Sequence, residues 1–159
     1  MIVKIQLIVI GKTNQHFVKQ GLDEFCKRLL HYFPFELEVI PDIKNSQNLS
    51  VDQQKVKEGE MILRSFQPSD YIVLLDEHGK EFTSVEFAEY IEKKTRTSVK
   101  RLVFVIGGAY GFAQTVYEAA YEKIALSKMT FPHQLIRLIF IEQLYRVMTI
   151  LHNEPYHHP

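Results

Sequence analysis

Five short apolar runs, each separated from the next by a segment of helical period, constrain this chain more than any other feature. They fall at about residues 2–10, 35–40, 71–75, 102–106 and 122–126. Runs rich in β-branched residues that alternate with helical segments specify an α/β fold, a mostly parallel sheet flanked by helices on both faces. Phe35, Leu37 and Val39 alternate with Glu36 and Glu38, which predicts a half-exposed edge for the second strand.

Between the first two strands Phe17, Val18, Leu22, Phe25, Cys26, Leu29 and Leu30 recur at helical spacing, with Thr13 or Asn14 available as N-cap. Two further helix starts carry capping-box spacing, Ser50 to Gln53 and Thr83 to Glu86. Residues 41–50 collect turn formers and read as a surface loop. The last helix, from about Pro132 to His152, is apolar around most of its circumference, from Leu135 and Ile136 to Ile150 and Leu151. Such a helix needs cover on nearly all sides. One face can pack on the sheet, and the other is most simply buried against a second copy of itself in a two-fold homodimer.

A chain of 159 residues, 46% of them apolar, makes one domain spanning 1–159 and leaves no length for a separate substrate domain. Nineteen basic side chains balance nineteen acidic ones, so charge alone does not announce a nucleic-acid partner. The densest basic group, Lys93, Lys94, Arg96, Lys100 and Arg101, reads as a solvated rim. Cys26 is the single cysteine, which excludes an intrachain disulfide and a cysteine-rich metal site and fits a reducing cytoplasm. In its helical setting it reads as a small buried hydrophobe. The opening residues lack a basic leader and form too short an apolar run for a membrane span; they read as the first strand of a cytoplasmic domain.

Two loops carry the chemistry. Gly107-Gly108-Ala109-Tyr110-Gly111 follows the run Leu102 to Ile106, and Leu126-Ser127-Lys128-Met129-Thr130-Phe131-Pro132-His133 follows the last run. Loops that leave neighbouring strands can meet at one sheet edge and surround a flat ligand with backbone groups, the glycines leaving room for close approach. The glycines lack the spacing of a dinucleotide fingerprint, and no Gly-Lys-Ser/Thr follows them. Thr130 and Pro132 also suit a helix start, as cap and first-turn residue.

Taken in order, Gly107-Gly108, the 126–133 loop, Glu142-Gln143-Leu144-Tyr145-Arg146 and the tail Pro155-Tyr156-His157-His158 resemble one family, together with Leu74 to Lys80 and the opening strand. It is the ribosomal RNA large-subunit methyltransferase H family, knotted SPOUT-type enzymes that use S-adenosylmethionine. The resemblance implies a C-terminal trefoil knot, rare among folds, and no metal. It implies a cofactor site of Leu75, Gly107, Leu126, Ser127, Lys128, Met129, Thr130 and Phe131. The implied substrate is a pseudouridine of large-subunit rRNA, methylated at N3 in the assembled ribosome.

Attack by the N3 nitrogen on the methyl group would draw much of its rate from positioning, helped by a base or a stabiliser of the developing anion. His133, Arg137 and His157 are the candidates, and the sequence does not choose among them. The resemblance makes Tyr156, His157 and His158 part of the RNA-binding surface. Where the family carries Arg or Lys after the histidine, this chain has His158, a cation only when protonated. Two rival readings remain: a knotted ribosome-binding protein without catalysis, which predicts a damaged cofactor loop, and an unrelated nucleotide or phosphometabolite enzyme, which predicts basic residues beside the glycines.

Overall fold

The computed structural model describes residues 3–159. The chain alternates strand and helix from the first strand on: β1 Lys4–Ile10, α1 His16–Leu29, β2 Phe35–Ile40, α2 Val51–Ser65, β3 Tyr71–Glu81, α3 Ser84–Thr95, β4 Arg101–Ile106, α4 Gln114–Ala119, β5 Glu122–Ala125 and α5 Leu135–Leu151. All five strands are parallel, in the order β2-β1-β4-β3-β5. The expected edge position of β2 is therefore found. Residue 2, included in the predicted first strand, lies outside the described residues.

Two-residue alternation splits each strand between two cores. Ile5, Leu7 and Val9 of β1 join Leu102 and Phe104 of β4 beneath α1, α3 and α5. Ile8, Ile10, Val103 and Val105 face the opposite way, toward Ile62 of α2 and Val116 of α4. Phe140 of α5 ties the larger core together, with its ring 4.9 Å from Phe104 and 6.2 Å from Phe87.

Both capping boxes form as the sequence predicts, Ser50 with Gln53 and Thr83 with Glu86. The expected cap on α1 does not: Gln15 occupies the N-cap without a side-chain bond. Instead Gln134 reaches across and accepts from the backbone N–H groups of Asn14 and Gln15 at 2.9 and 3.1 Å. A tertiary partner has taken the role of a local one. Thr130 likewise caps no helix, because α5 begins only at Leu135, with Gln134 before it.

The all-round apolarity of α5 is largely met within the chain. Its partly buried side chains pack into the same core as those of α1 on one flank and α3 on the other, leaving a narrow half-buried stripe through Ile139, Glu142, Gln143 and Arg146. The basic rim also departs from expectation. Lys94 pairs with Glu122 at 3.1 Å and lies over the Tyr71 and Tyr90 rings. Arg101 is buried against Asp70 and Gln6. Two of the five cations are thus structural. Cys26 is half-buried beside the larger core, and burial, with the nearby Asp23 carboxylate, pushes its thiol up to about 11.

The end of β3 departs furthest from a regular sheet. Ile124 of β5 is the register partner of Leu75 and, after a break, of Lys80 as well. Residues 76–79 therefore stand outside the ladder, between two stretches of pairing with β5. At Gly79 the two backbones meet: a Cβ there would lie 2.6 Å from the backbone N and C of Ile124. Only glycine fits that contact.

Arg137 fastens this end of the sheet to α5. It is 2% exposed and donates to the carbonyls of Ile10 at 2.5 Å and Gly11 at 2.8 Å, and to the Thr13 hydroxyl at 3.0 Å. Arg137→Met keeps the volume but strands those carbonyls. It should cost about 2–4 kcal/mol, read as a lower urea midpoint with an unchanged slope. A midpoint equal to the parent's would show that the carbonyls find other donors.

Candidate functional site

A cleft of about 500 Å³ opens beside the break in β3 and outside the carboxyl ends of β4 and β5, where open α/β sheets bind ligands. Three segments wall it: residues 75–78 at the break in β3, 106–112 after β4, and 125–131 after β5. Lys55 of α2, Tyr117 of α4, Ile136 of α5 and His133 also line it. The segments converge because their strands are neighbours in a parallel sheet.

Of the residues expected to hold a cofactor, Leu75, Gly107, Leu126, Ser127, Met129, Thr130 and Phe131 line this cleft. Lys128 does not; its side chain is 90% exposed, with its ammonium 3.9 Å from Glu81. Ser127 sets the loop's local shape, its hydroxyl accepting from the Met129 N–H at 3.0 Å. The walls are mainly backbone and apolar side chain.

The electrostatics come from residues to which the sequence assigned no role. Asp76 follows Leu75 directly and its side chain is 8% exposed. It accepts from the Tyr117 hydroxyl, from the His78 backbone N–H at 2.9 Å, and lies 3.2 Å from the His78 ring. Burial favours its neutral form, but the Tyr117 and His78 contacts outweigh burial and hold the carboxyl below its usual range. Burial and the Asp76 partner push Tyr117 up to about 12. Asp76, Glu77, His78 and Tyr117 all line the cleft. Behind the glycine loop stands Glu58, 5% exposed and raised by burial. A Cβ on Gly108 would lie 2.6 Å from its Oε1. The loop lies so close to this carboxyl that a side chain at residue 108 would have to displace it.

The predicted catalytic residues are not brought together. His133 lines the cleft and is exposed. Arg137 is buried behind it with its donors directed to β1 and the following loop. His157 is half-buried against the far half of α5, where its Nδ1 lies 3.2 Å from Arg146. Tyr156 donates to Glu142 at 2.9 Å, and its ring sits 4.8 Å from that of Tyr145. His158 is exposed. None of these three tail residues touches the cleft of its own chain. The helical rise from Leu135 to Arg146 alone is about 16 Å.

Comparison with known proteins agrees with this geometry. Residues 3–157 match the model of a family described as predicted SPOUT methyltransferases. The chain is 67% identical over 155 residues to the ribosomal RNA large subunit methyltransferase H of Parabacteroides distasonis, covering 98% of this chain and 99% of that protein. It is 59% identical to the protein of that name in Phocaeicola vulgatus, with the same coverage. The Bacteroides thetaiotaomicron protein of that name is 57% identical over 156 residues, again 98% of this chain and 99% of its own length. With its cleft at the strand ends and these matches along nearly its whole length, the chain belongs to the SPOUT methyltransferase family.

Proposed function

We propose that this protein transfers a methyl group from S-adenosylmethionine to N3 of a pseudouridine in large-subunit ribosomal RNA, acting in the cytoplasm on the assembled ribosome as a homodimer. One observation carries the reading: residues 75–78 of β3 and the loops after β4 and β5 converge on a single cleft, and seven of the eight positions expected to hold the cofactor line it. The break in β3–β5 pairing at residues 76–79, with Gly79 seated on the Ile124 backbone, fits the knotted C-terminal half that this reading carries.

The cleft's chemistry fits the cofactor. Its volume suits a ligand of that size, and the backbone of 126–131 offers polar groups between Leu75, Leu126 and Phe131 for a flat base. Asp76, kept ionised by Tyr117 and His78, and Glu77 give one wall a negative field suited to a sulfonium and an ammonium. Lys55 offers a carboxylate a counter-charge on another wall. When bound, S-adenosylmethionine supplies an activated methyl group and a neutral thioether leaving group, so the residues need only position the acceptor, exclude water and help the imide lose its proton. His133 stands on the rim within reach of an entering base. Arg137 serves by position, fixing residues 10–13 and the start of α5 behind that rim.

The tail requires a second copy. Two molecules packed antiparallel along the half-buried stripe of α5 bring the C-terminal end of one helix beside the N-terminal end of the other. Tyr156, His157 and His158 of one copy would then border the partner's cleft. The balanced net charge fits a substrate recognised largely by the shape of a folded ribosomal site.

The test is transfer of labelled methyl to assembled ribosomes lacking the modification, beside free subunits and naked rRNA, with the product nucleotide mapped by mass spectrometry. Label on a pseudouridine of assembled ribosomes alone is expected. Label on naked RNA would overturn the ribosome requirement, and no label despite bound cofactor would overturn the enzyme reading in favour of a knotted binding protein. For the dimer, Ile139→Glu places like charges across the two-fold axis, and should weaken association by about 10²–10³. Sedimentation should then show monomers, with methyl transfer lost. An active monomer would contradict the delivery of the tail between copies.

A further inference from the structure

We propose that Arg146 is a positioning residue that fixes His157 as its neutral Nε2–H tautomer, so that this histidine works as a hydrogen-bond donor and not as the base. The inference rests on the proposed methyl transfer for its catalytic half, while the tautomer follows from geometry alone. Arg146 Nη1 lies 3.2 Å from His157 Nδ1. A guanidinium has donors only, so at this contact Nδ1 must accept. The ring proton is then on Nε2.

The guanidinium is not free to turn away. Its Nη2 donates to Glu142 Oε2 at 2.8 Å, and its plane lies 4.8 Å from the centre of the Tyr156 ring. Glu142 is itself held, since Oε2 also accepts from the Tyr156 hydroxyl at 2.9 Å and Oε1 accepts from Gln143 at 2.9 Å. Glu142 and Arg146 occupy one face of α5 a turn apart, and Tyr156 and His157 fold back onto them. The last residues of a domain are ordinarily loose; here four side chains set the direction of one imidazole.

The chemistry distinguishes the two roles. The imide proton leaves to water, which places negative charge on the imide nitrogen and on the two carbonyl oxygens beside it. The nitrogen forms its bond to the methyl carbon as the carbon–sulfur pair goes to sulfur. An Nε2–H can donate to one of those oxygens but cannot take the proton. With Nδ1 occupied by Arg146, the ring has no free acceptor to serve as the base.

The experiment combines spectroscopy with kinetics. Imidazole ¹⁵N–¹H correlation spectra of the full-length dimer, with His157 assigned by its absence in His157→Gln, should show Nε2–H alone at neutral pH. In Arg146→Met the Nδ1–H form should appear. A glutamine amide can donate from nearly the same place but cannot act as a base. His157→Gln should therefore keep kcat within about tenfold, and His157→Ala should lose about 10²–10³. An Nδ1–H tautomer or an imidazolium in the parent would overturn the assignment, and equal loss in the Gln and Ala variants would overturn the donor role. Failure of the parent to transfer methyl at all would overturn the functional reading and the catalytic half with it, with the spectra still deciding the tautomer. All three substitutions lie on the tail or on the outer face of α5, and thermal melts should confirm that they leave the core folded.

Discussion

The backbone contact between the 76–79 segment and β5 is the constraint on which the rest of the site depends. An ordinary parallel strand would end at Leu75 and hand the chain to a helix; here it continues, meets Ile124 at Gly79 and pairs again through Lys80 and Glu81. That contact keeps residues 75–81 beside β5. It also places Asp76 where Tyr117 of α4 can hold it. The cleft walls therefore owe their proximity to backbone contact, the least compliant contact a protein has, and not to side chains that could repack.

Some of the basic side chains serve the fold itself. Lys94, Arg101 and Arg137 would each count toward a nucleic-acid surface in a sequence tally, yet each is committed to a partner within the fold. The cleft retains a carboxylate pair on one side and Lys55 on another, a polarity suited to a zwitterionic, sulfonium-bearing ligand more than to a phosphate chain. Lys94, Arg101 and Arg137 are withdrawn from any nucleic-acid surface, and the remaining basic residues are balanced by nineteen acidic ones, which limits the affinity to be gained from counterion release. Recognition would then rest on shape, as the ribosomal substrate proposed above allows.

Much of the fold was legible because its signals are local. Apolar runs gave the strands, capping boxes gave the starts of α2 and α3, and alternating Glu36 and Glu38 gave the edge. What escaped was non-local. The six-residue α4 carries too short a period to register beside a glycine loop, and with it went Tyr117 and the reason for Asp76. The cap on α1 comes from Gln134, over a hundred residues away. Arg137 was read as a reactive cation because a sequence shows its charge and hides its burial. Its position between Ile136 and Leu138 in an otherwise apolar stretch was the available clue, since an arginine in such a helix must find buried acceptors. Of the positions that the resemblance to a known family implied for a cofactor, all but Lys128 line the cleft. The resemblance could not show that the tail folds against the far half of its own α5.

The central claim is that three segments from three strands act as one cofactor site. Hydrogen exchange, followed segment by segment with and without S-adenosylmethionine, tests it without altering the chain. Exchange should slow together in residues 75–81, 106–112 and 125–131, because each wall is ordered by the same ligand. Protection confined to one of these segments, or appearing elsewhere in the fold, would contradict the account.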